Sequence, residues 1–264
     1  MLLDKWYLDT VFPDGTVWFG YRAWLRLWRG PHLCWAAGCE VLPGGRQQKA
    51  SRWVELAEPR LENGQWQWRG PDGFEAQWQP CCPAVQSELG SQERFRVHWS
   101  CVAPRAAVTR TQRAPGGSCG RPGAASHGDG YIEHLRLEAA GCRMPLRDLW
   151  WGRAHAGPSS LVWIRWGLRP DLWLAFENGV PVNALSEARP NGDVCIQTQS
   201  GVWQTQGRQA LCDRDVRRSF PRWLVWLTGG LAPSREHKVS GAVRLRSNEG
   251  TFEGSGIWEE VKWP

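Results

Sequence analysis

The residues with the clearest potential for chemistry lie on one alternating segment, 129–137. Side chains of a strand point to two faces in turn, so Tyr131 and Glu133 share a face with two leucines, and His134 lies on the other face. If the Glu133 face points inward, poor solvation raises the pKa of its carboxyl, which becomes a proton donor near neutral pH with Tyr131 as a hydrogen-bond partner. If that face points outward, Glu133 pairs with an arginine. The segment therefore predicts a catalytic acid or a surface ion pair.

Histidine and arginine supply further candidates. His155 lies on a predicted strand, and with Tyr131 and Glu133 it would form a constellation able to transfer protons. His134 and Arg153 are candidate substrate-binding residues. The alternative for each histidine is a structural role, in which neighbouring polar groups satisfy the ring nitrogens.

Tryptophan is unusually frequent, at 20 of 264 residues. A desolvated indole face stabilises a cation by about 0.5–2 kcal/mol, so a Trp-lined cavity suits an allylic carbocation or an isoprenoid guest. The tryptophans predicted to bind substrate are Trp24, Trp99, Trp150 and Trp151. On the strand that carries Trp24, tryptophans and arginines alternate with apolar residues, and the apolar set is predicted to face the core. The alternative for any single tryptophan is that it only fills the core.

Many short strands must position these side chains. Turn signals recur every 8–12 residues, which is typical of a β-sandwich or barrel. Pro13–Gly15 and Asn178-Gly179 are strong hairpin signals. A short helix is expected near Asp213–Ser219. The pattern predicts an all-β protein with few short helices.

A segment of different composition divides the chain. Residues 114–128 are rich in Gly, Pro, Ser and Ala, which predicts a linker or lid. We therefore expect an N-terminal β domain over 1–113 and a C-terminal β domain over 129–264. A weak similarity between 71–78 and 249–261 indicates that the two halves repeat.

Composition, charge and missing motifs exclude several function classes. The chain has a net charge of +6 and nine cysteines. No apolar run approaches the roughly 18 residues of a membrane span, and we expect a cytoplasmic protein with free thiols, for which transient contact with a membrane surface stays open. Nucleotide-binding and serine-hydrolase motifs are missing. No organic cofactor and no metal are expected, although a metal site at His32, Cys34 and Cys39 is an open alternative.

Four short motifs together resemble the lipocalin-like AttH/carotenoid 1,2-hydratase superfamily, to which cyclases of Diels–Alderase type are related. They are Trp-Tyr-Leu-Asp…Asp-Gly…Gly-Tyr (6–21), Gly-Tyr-x-Glu-His (130–134), Met-Pro-Leu-Arg-Asp-Leu-Trp-Trp-Gly-Arg (144–153) and Gly-Ile-Trp-Glu-Glu-Val (256–261). The resemblance implies two lipocalin-like antiparallel β-barrels in tandem and a site for an apolar substrate.

The resemblance also implies roles for particular residues. Tyr131 matches the Tyr of the Gly-Tyr-x-Asp strand that carries the proposed acid of the hydratases, and Glu133 matches its Asp. Trp99 is the candidate for a Trp that belongs to the same site. The chain departs from the hydratase pattern by having Glu in place of Asp and by continuing with His134.

Three functions are compatible with this pattern. The first is a cofactor-independent hydratase, cyclase or isomerase that acts on a terpenoid, polyene or polyketide, with a buried carboxyl as the acid. The second is a carrier of hydrophobic ligands without chemistry. The third is a module whose tryptophans stack on sugars or single-stranded nucleic acid. The modest charge disfavours nucleic acid, so an apolar small molecule is the expected partner.

Overall fold

The computed structural model describes residues 1–27, 30, 32–92, 95–110, 126–139, 146–167, 171–188, 193–219 and 234–263. The chain divides into two compact units. The first comprises residues 1–91 and 96–138, and the second comprises 92–95 and 139–264. Each unit is built on one antiparallel sheet, and the all-β fold with two tandem half-barrels is confirmed.

The first sheet has ten strands. Their bounds are β1 Leu2–Val11, β2 Val17–Arg26, β3 His32–Val41, β4 Gln47–Arg52, β5 Arg60–Glu62, β6 Gln65–Arg69, β7 Glu75–Pro80, β8 Val85–Gln92, β9 Phe95–Arg110 and β10 Ser126–Ala139. The strand order is β4-β3-β2-β1-β10-β9-β7-β6-β5, and β8 pairs with β9. The first and last strands are therefore neighbours in the middle of the sheet.

The second sheet has nine strands. Their bounds are β11 Asp148–Ala156, β12 Ser159–Trp166, β13 Leu172–Glu177, β14 Val180–Pro181, β15 Leu185–Ala188, β16 Val194–Gln197, β17 Gly201–Arg214, β18 Arg235–Ser247 and β19 Gly250–Lys262. The order is β14-β13-β12-β11-β19-β18-β17-β16-β15. A 3-10 helix at Val216–Ser219 matches the short helix expected near that position.

Tryptophan contacts show that the first sheet curls on itself. Trp18 on β2 and Trp68 on β6 lie five strands apart in the sheet, which in a flat sheet is about 24 Å. Their ring centroids are 5.7 Å apart, so the concave face closes around them. Trp18 also donates its indole N–H to Asp72 at 2.8 Å. The core of the first unit is this concave cluster, which includes Trp78 and Phe74.

The second sheet curls in the same way. Trp203 on β17 donates its indole N–H to Glu177 at the end of β13, at 3.1 Å. These strands are also five positions apart in the sheet. Trp163 and Trp258 belong to the apolar cluster on the concave face. Both units thus use tryptophans to fill a half-barrel.

The two sheets repeat one topology, in which a meander is closed by its last strand pairing with its first. β10 pairs with β1, and β19 pairs with β11 in the equivalent way. The matching segments are therefore Gly130–Leu135 and Gly256–Val261, whose sequences are GYIEHL and GIWEEV. The repeat predicted between 71–78 and 249–261 is wrong in detail, because 75–78 belong to β7 and not to the closing strand.

The strand that carries Glu133 belongs to the first unit. Register pairs such as Tyr7 with Glu133 fix β10 beside β1, whereas the sequence-based division at residue 129 assigned this strand to the second domain. Local patterns do not reveal a partner strand that lies more than a hundred residues away. Of the predicted linker, 114–125 lie outside the described residues, and 126–128 begin β10.

Both faces of the central strands are buried, which corrects the predicted core face of β2. Trp18 and Arg22 are buried on the concave face, and Phe19 and Tyr21 are buried on the other. Arg22 is accommodated because its Nη1 lies 3.4 Å from Asp4 Oδ1 and 3.0 Å from Glu58 Oε1. Within the described residues, no helix has the length and apolar character needed to cross a membrane.

Candidate functional site

Glu133 is held by two uncharged donors on one carboxylate oxygen. The indole Nε1 of Trp99 donates to Glu133 Oε2 at 2.8 Å, and the hydroxyl of Tyr131 donates to the same oxygen at 2.7 Å. Trp99 is 1% exposed and Tyr131 is fully buried, so both donors are fixed by packing. The structure thereby brings together three of the residues selected from the sequence.

The topology of the first sheet explains this convergence. β10 lies between β1 and β9, so side chains from all three strands meet on each face. Alternation along β10 places Tyr131 and Glu133 on the same face. Trp99 reaches them from β9, and Tyr7 is the register partner of Glu133 on β1. Among the residues that the structure describes, the partners of Glu133 are Trp99 and Tyr131 and not an arginine, which disfavours the surface ion pair considered from the sequence.

All three tyrosines of the chain gather on this face. The ring of Tyr7 lies 5.2 Å from that of Tyr21 and 6.2 Å from that of Tyr131. Phe19 and Trp35 extend the aromatic surface, with ring centroids 5.9 and 6.0 Å from Tyr21. The surroundings of Glu133 are therefore aromatic and weakly polar, with tyrosine more frequent than tryptophan.

A buried thiol, that of Cys101, lies next to Tyr131. Cys101 on β9 is fully buried, and its Sγ donates to the carbonyl of Ile132 at 3.5 Å. Burial raises the pKa of this thiol well above its usual value, a hydrogen bond with Tyr131 opposes the rise, and the charge of Glu133 adds to it. Cys101 is therefore a neutral thiol that packs against Tyr131.

Two further predicted residues lie on the opposite face of the same sheet. His134 points to the concave side, where its Nε2 is 3.1 Å from Asp4 Oδ2 and its ring stacks on Trp6 at 4.3 Å. Trp24 lies on β2 at a concave-face position, and its ring is 5.7 Å from that of His32. Neither residue shares the face of Glu133, so the structure separates them from the Trp99–Tyr131 arrangement.

The remaining candidates lie on β11 of the second sheet. Trp151, Arg153 and His155 share one face and are buried, with Arg153 Nη1 at 3.3 Å from His155 Nδ1. Trp150 lies on the other face, where its Nε1 donates to Glu260 Oε1 at 3.1 Å. An acid–base role for His155 with Tyr131 and Glu133 stays a prediction.

The second sheet contains a counterpart of Glu133. Glu259 occupies the matching position on β19, in the segment GIWEEV. Its Oε2 forms an ion pair with Lys238 Nζ at 2.9 Å, and the Lys238 side chain is fully buried. Lys238 also lies 5.9 Å from the ring centroid of Trp151. The carboxylate of the second unit is thus neutralised by an ammonium, whereas that of the first unit has two neutral donors.

Sequence analysis missed Tyr7, Tyr21 and Cys101. The missing information was the pairing of β1 with β10, which places Tyr7 opposite Glu133. A signal for that pairing exists in the repeated motif Asp-x-Trp at 4–6 and 148–150, because both copies begin the first strand of a unit. In the described part of the chain, no group of three His, Cys, Asp or Glu side chains is arranged to hold a metal ion.

Known structures share this architecture. Kievitone hydratase from Nectria haematococca superimposes with a TM-score of 0.59 at 10% identity, covering 98% of this chain and 88% of that one. An AttH-like protein from Nitrosomonas europaea gives 0.54 at 15% identity, with coverages of 98% and 92%. The structure of CghA gives 0.55 at 13% identity, with coverages of 99% and 88%.

These matches define the class of fold. The resemblance to the AttH-like superfamily expected from the four motifs is confirmed at the level of the fold. No protein-family model and no curated protein sequence matches the chain. At such low identity the likeness establishes the tandem half-barrel architecture, and the activity must be argued from the residues of this chain.

Proposed function

We propose that the protein is a hydratase or cyclase-like enzyme that protonates an apolar alkene, with Glu133 as the proton donor. The proposal rests on one observation, which is that the two carboxylate oxygens of Glu133 differ in their hydrogen-bond partners. Oε2 accepts hydrogen bonds from Trp99 and Tyr131. Among the residues that the structure describes, Oε1 has no hydrogen-bond partner, and the side chain is half-buried.

This arrangement specifies where the acidic proton resides. An indole N–H only donates, so Trp99 keeps Oε2 as an acceptor in every protonation state of Glu133. A proton on the carboxyl therefore belongs on Oε1, the oxygen left for substrate. The two donors fix the plane of the carboxyl, so the proton is delivered along one direction.

The reaction follows from a single proton transfer. The O–H bond at Oε1 breaks as a C–H bond forms on the less substituted alkene carbon, which leaves a carbocation and a Glu133 carboxylate. In hydration, water adds to the cation and the resulting oxonium returns a proton to Oε1. In cyclisation, a second alkene adds to the cation, and loss of a neighbouring C–H proton restores the acid. Both reactions restore the protonated carboxyl of Glu133, and neither needs an oxidant or a reductant.

The aromatic face around Glu133 supports an apolar, alkene-bearing substrate. Faces of aromatic rings attract cationic carbon through their quadrupole, by about 0.5–2 kcal/mol each in a dry site. Tyr7 and Tyr131 are the aromatic residues closest to Glu133 along the register and the chain. Terpenoids, polyenes and polyketides with trisubstituted alkenes are the compounds that this surface and this acid suit, and the name of one structural neighbour, kievitone hydratase, agrees with a hydration reaction.

Comparison with the second unit also supports Glu133 as the acid. A carboxylate that is paired with an ammonium, as Glu259 is with Lys238, is stabilised in its charged form and is a poor proton donor. Within the part of the chain that the structure describes, Glu133 has no such partner, since both of its donors are neutral side chains. The acid is therefore assigned to the first unit.

The test is turnover of a panel of apolar alkenes, including kievitone, in D₂O with detection by mass spectrometry. We expect one deuterium on carbon in each product, because the proton on Oε1 exchanges with solvent. Glu133→Gln should lower the rate by about 10²–10⁴-fold, the usual contribution of a general acid. Glu138→Gln is the matched control on the same strand, where the side chain pairs with Arg136 at the surface.

The outcomes separate the candidate functions. Unchanged turnover in Glu133→Gln would exclude Glu133 as the acid. Binding of panel members without any turnover, and equal binding by Glu133→Gln, would favour the hydrophobic carrier. Salt-dependent binding of an oligonucleotide, with no affinity for the alkenes, would favour the stacking module.

A further inference from the structure

The duplicated topology places a second set of matching residues on the concave faces. In the first unit Trp6 pairs in register with Arg22 and with His134, and in the second unit Trp150 pairs with Arg165 and with Glu260. The matched pairs are Asp4 and Asp148, Trp6 and Trp150, Arg22 and Arg165, His134 and Glu260, and Arg136 and Lys262. Four of the five pairs conserve their chemistry between the units, and the pair of His134 with Glu260 does not.

In the second unit, the indole N–H is satisfied internally. Trp150 Nε1 donates to Glu260 Oε1 at 3.1 Å. Lys262 Nζ lies 3.0 Å from the same oxygen, and Arg165 lies over the Trp150 ring at 5.2 Å. The carboxylate is thus bound by one indole N–H and one ammonium, beside a guanidinium.

In the first unit the carboxylate is replaced by an imidazole. The His134 ring stacks on Trp6, with centroids 4.3 Å apart and planes at 14°, and its Nε2 contacts Asp4 Oδ2 at 3.1 Å. Trp6 is only 7% exposed. Within the described residues, its Nε1 is buried and has no hydrogen-bond partner.

A buried donor without an acceptor is costly. Leaving one unsatisfied costs about 1–3 kcal/mol, and such groups are rare in folded proteins. The cationic residues that flank the Glu260 carboxylate in the second unit nevertheless have cationic counterparts in the first unit. Arg22 pairs with Asp4 at 3.4 Å, and Arg136 is half-exposed and, among the described side chains, pairs only with its strand neighbour Glu138, at 2.9 Å. A surface pair of this kind contributes little, so Arg136 exchanges partners readily.

We propose that the concave face of the first unit binds a small aromatic or apolar carboxylate, whose oxygen takes the position that Glu260 fills in the second unit. The Trp6 N–H and the Arg136 guanidinium bind the carboxylate. The half-buried ring of Trp66, 5.5 Å from that of Trp6, contacts the apolar body. This site lies on the face of β10 opposite Glu133, and it does not depend on the proposed alkene chemistry.

The experiment follows the indole N–H signals of ¹⁵N-tryptophan-labelled protein by NMR during titration with sodium benzoate. Trp6→Phe and Trp150→Phe assign the two signals. We expect a saturable shift of the Trp6 signal and none of the Trp150 signal. Benzamide, a neutral isostere, should bind at least tenfold more weakly, and sodium chloride at equal ionic strength serves as the control for salt.

Three substitutions test the assignment, the first two from opposite directions. His134→Glu supplies an internal carboxylate, so benzoate affinity should fall at least tenfold and the free Trp6 signal should move toward that of Trp150. Glu260→His removes the internal carboxylate of the second unit, so Trp150 should become responsive to benzoate. Arg136→Leu, a surface change that leaves the fold undisturbed, should weaken benzoate binding at least fivefold.

Three results would overturn the proposal. One is a Trp6 signal that benzoate does not shift, which would mean that solvent alone satisfies this donor. Another is an equal shift with sodium chloride or benzamide. The third is benzoate binding that survives both His134→Glu and Arg136→Leu unchanged.

Discussion

Glu133 and Glu259 occupy the same position in the two sheets, but within the described residues only Glu259 has a charged partner, Lys238 Nζ at 2.9 Å. Glu133 has the neutral donors Trp99 and Tyr131 instead. Duplication of one topology has thus produced a carboxylate locked in an ion pair and a carboxyl with one oxygen available. The roles of these two carboxyl groups can therefore be tested separately, by substitutions in each half of the chain.

Removing either donor of Glu133 should reduce turnover without abolishing it. In Trp99→Phe and in Tyr131→Phe, one hydrogen bond worth about 1–1.5 kcal/mol is lost, so we expect roughly a tenfold fall in kcat for each variant. KM should change little, because the carboxyl plane and not the binding surface is disturbed. Steady-state kinetics on an alkene from the panel provide the measurement. A tenfold rise in KM at constant kcat would instead assign these residues to binding.

Breaking the buried ion pair should destabilise the second unit. Lys238→Met leaves Glu259 charged and without its ammonium, at a cost of about 3–5 kcal/mol in the free energy of unfolding. Replacing both partners, with Lys238→Met and Glu259→Met, should recover most of that loss. Urea denaturation of the three proteins measures it. A single variant as stable as the unmodified protein would contradict the ion pair.

The thiol of Cys212 should make stability fall at alkaline pH. Burial raises the pKa of Cys212 to about 11 from its usual 9.0, and the charge of Glu236 adds to the rise. The folded state therefore holds the proton more tightly than the unfolded state, so the stabilisation is complete below pH 9 and is lost as the pH rises through 11. Cys212→Ala removes this pH-dependent contribution to the free energy of unfolding. Urea unfolding at pH 8 and pH 11 should show a smaller loss in the variant, and equal losses would refute the effect.

Close packing of β11 against β12 should make Gly152 intolerant of a side chain. A Cβ at Gly152 would lie 2.1 Å from the Trp163 ring, far inside van der Waals contact. Gly152→Ala should lower the free energy of unfolding by about 1–3 kcal/mol, as overpacking of a core does. Thermal unfolding measures the change. Adding Trp163→Leu should relieve the clash, so a double variant whose loss of stability equals the sum of the losses in the two single variants would count against this contact.

Local features of the fold could be predicted from the sequence because they depend on neighbouring residues. The turn at Pro13–Gly15 forms as expected, with Thr16 N donating to Asp14 Oδ1 at 2.8 Å. Asn178 and Gly179 adopt positive φ angles of 52° and 77°, as the hairpin signal requires. Alternation alone placed Tyr131 beside Glu133, and their contact at 2.7 Å agrees with that expectation.

The long-range part of the site could not be predicted in the same way. Alternation separates two faces, but it identifies the inner one only when the other face is solvated, and in β2 both Trp18 and Tyr21 are buried. It also gives no information on which strand pairs with which, so Tyr7 was not recognised as the neighbour of Glu133. Alternation did place His134 on the face opposite Glu133, and the register of β10 with β1 agrees with that placement.

The pairing of first and last strands has a consequence for how such a chain arises. Leu2 lies opposite Glu138 in the first sheet, and Asp148 lies opposite Lys262 in the second. The polypeptide thus enters and leaves each half-barrel at adjacent points, so a gene for one unit can be copied head to tail without any strand changing its partners. Each unit is equally suited to circular permutation, in which its adjacent ends are joined and a hairpin such as Asp14-Gly15 is opened.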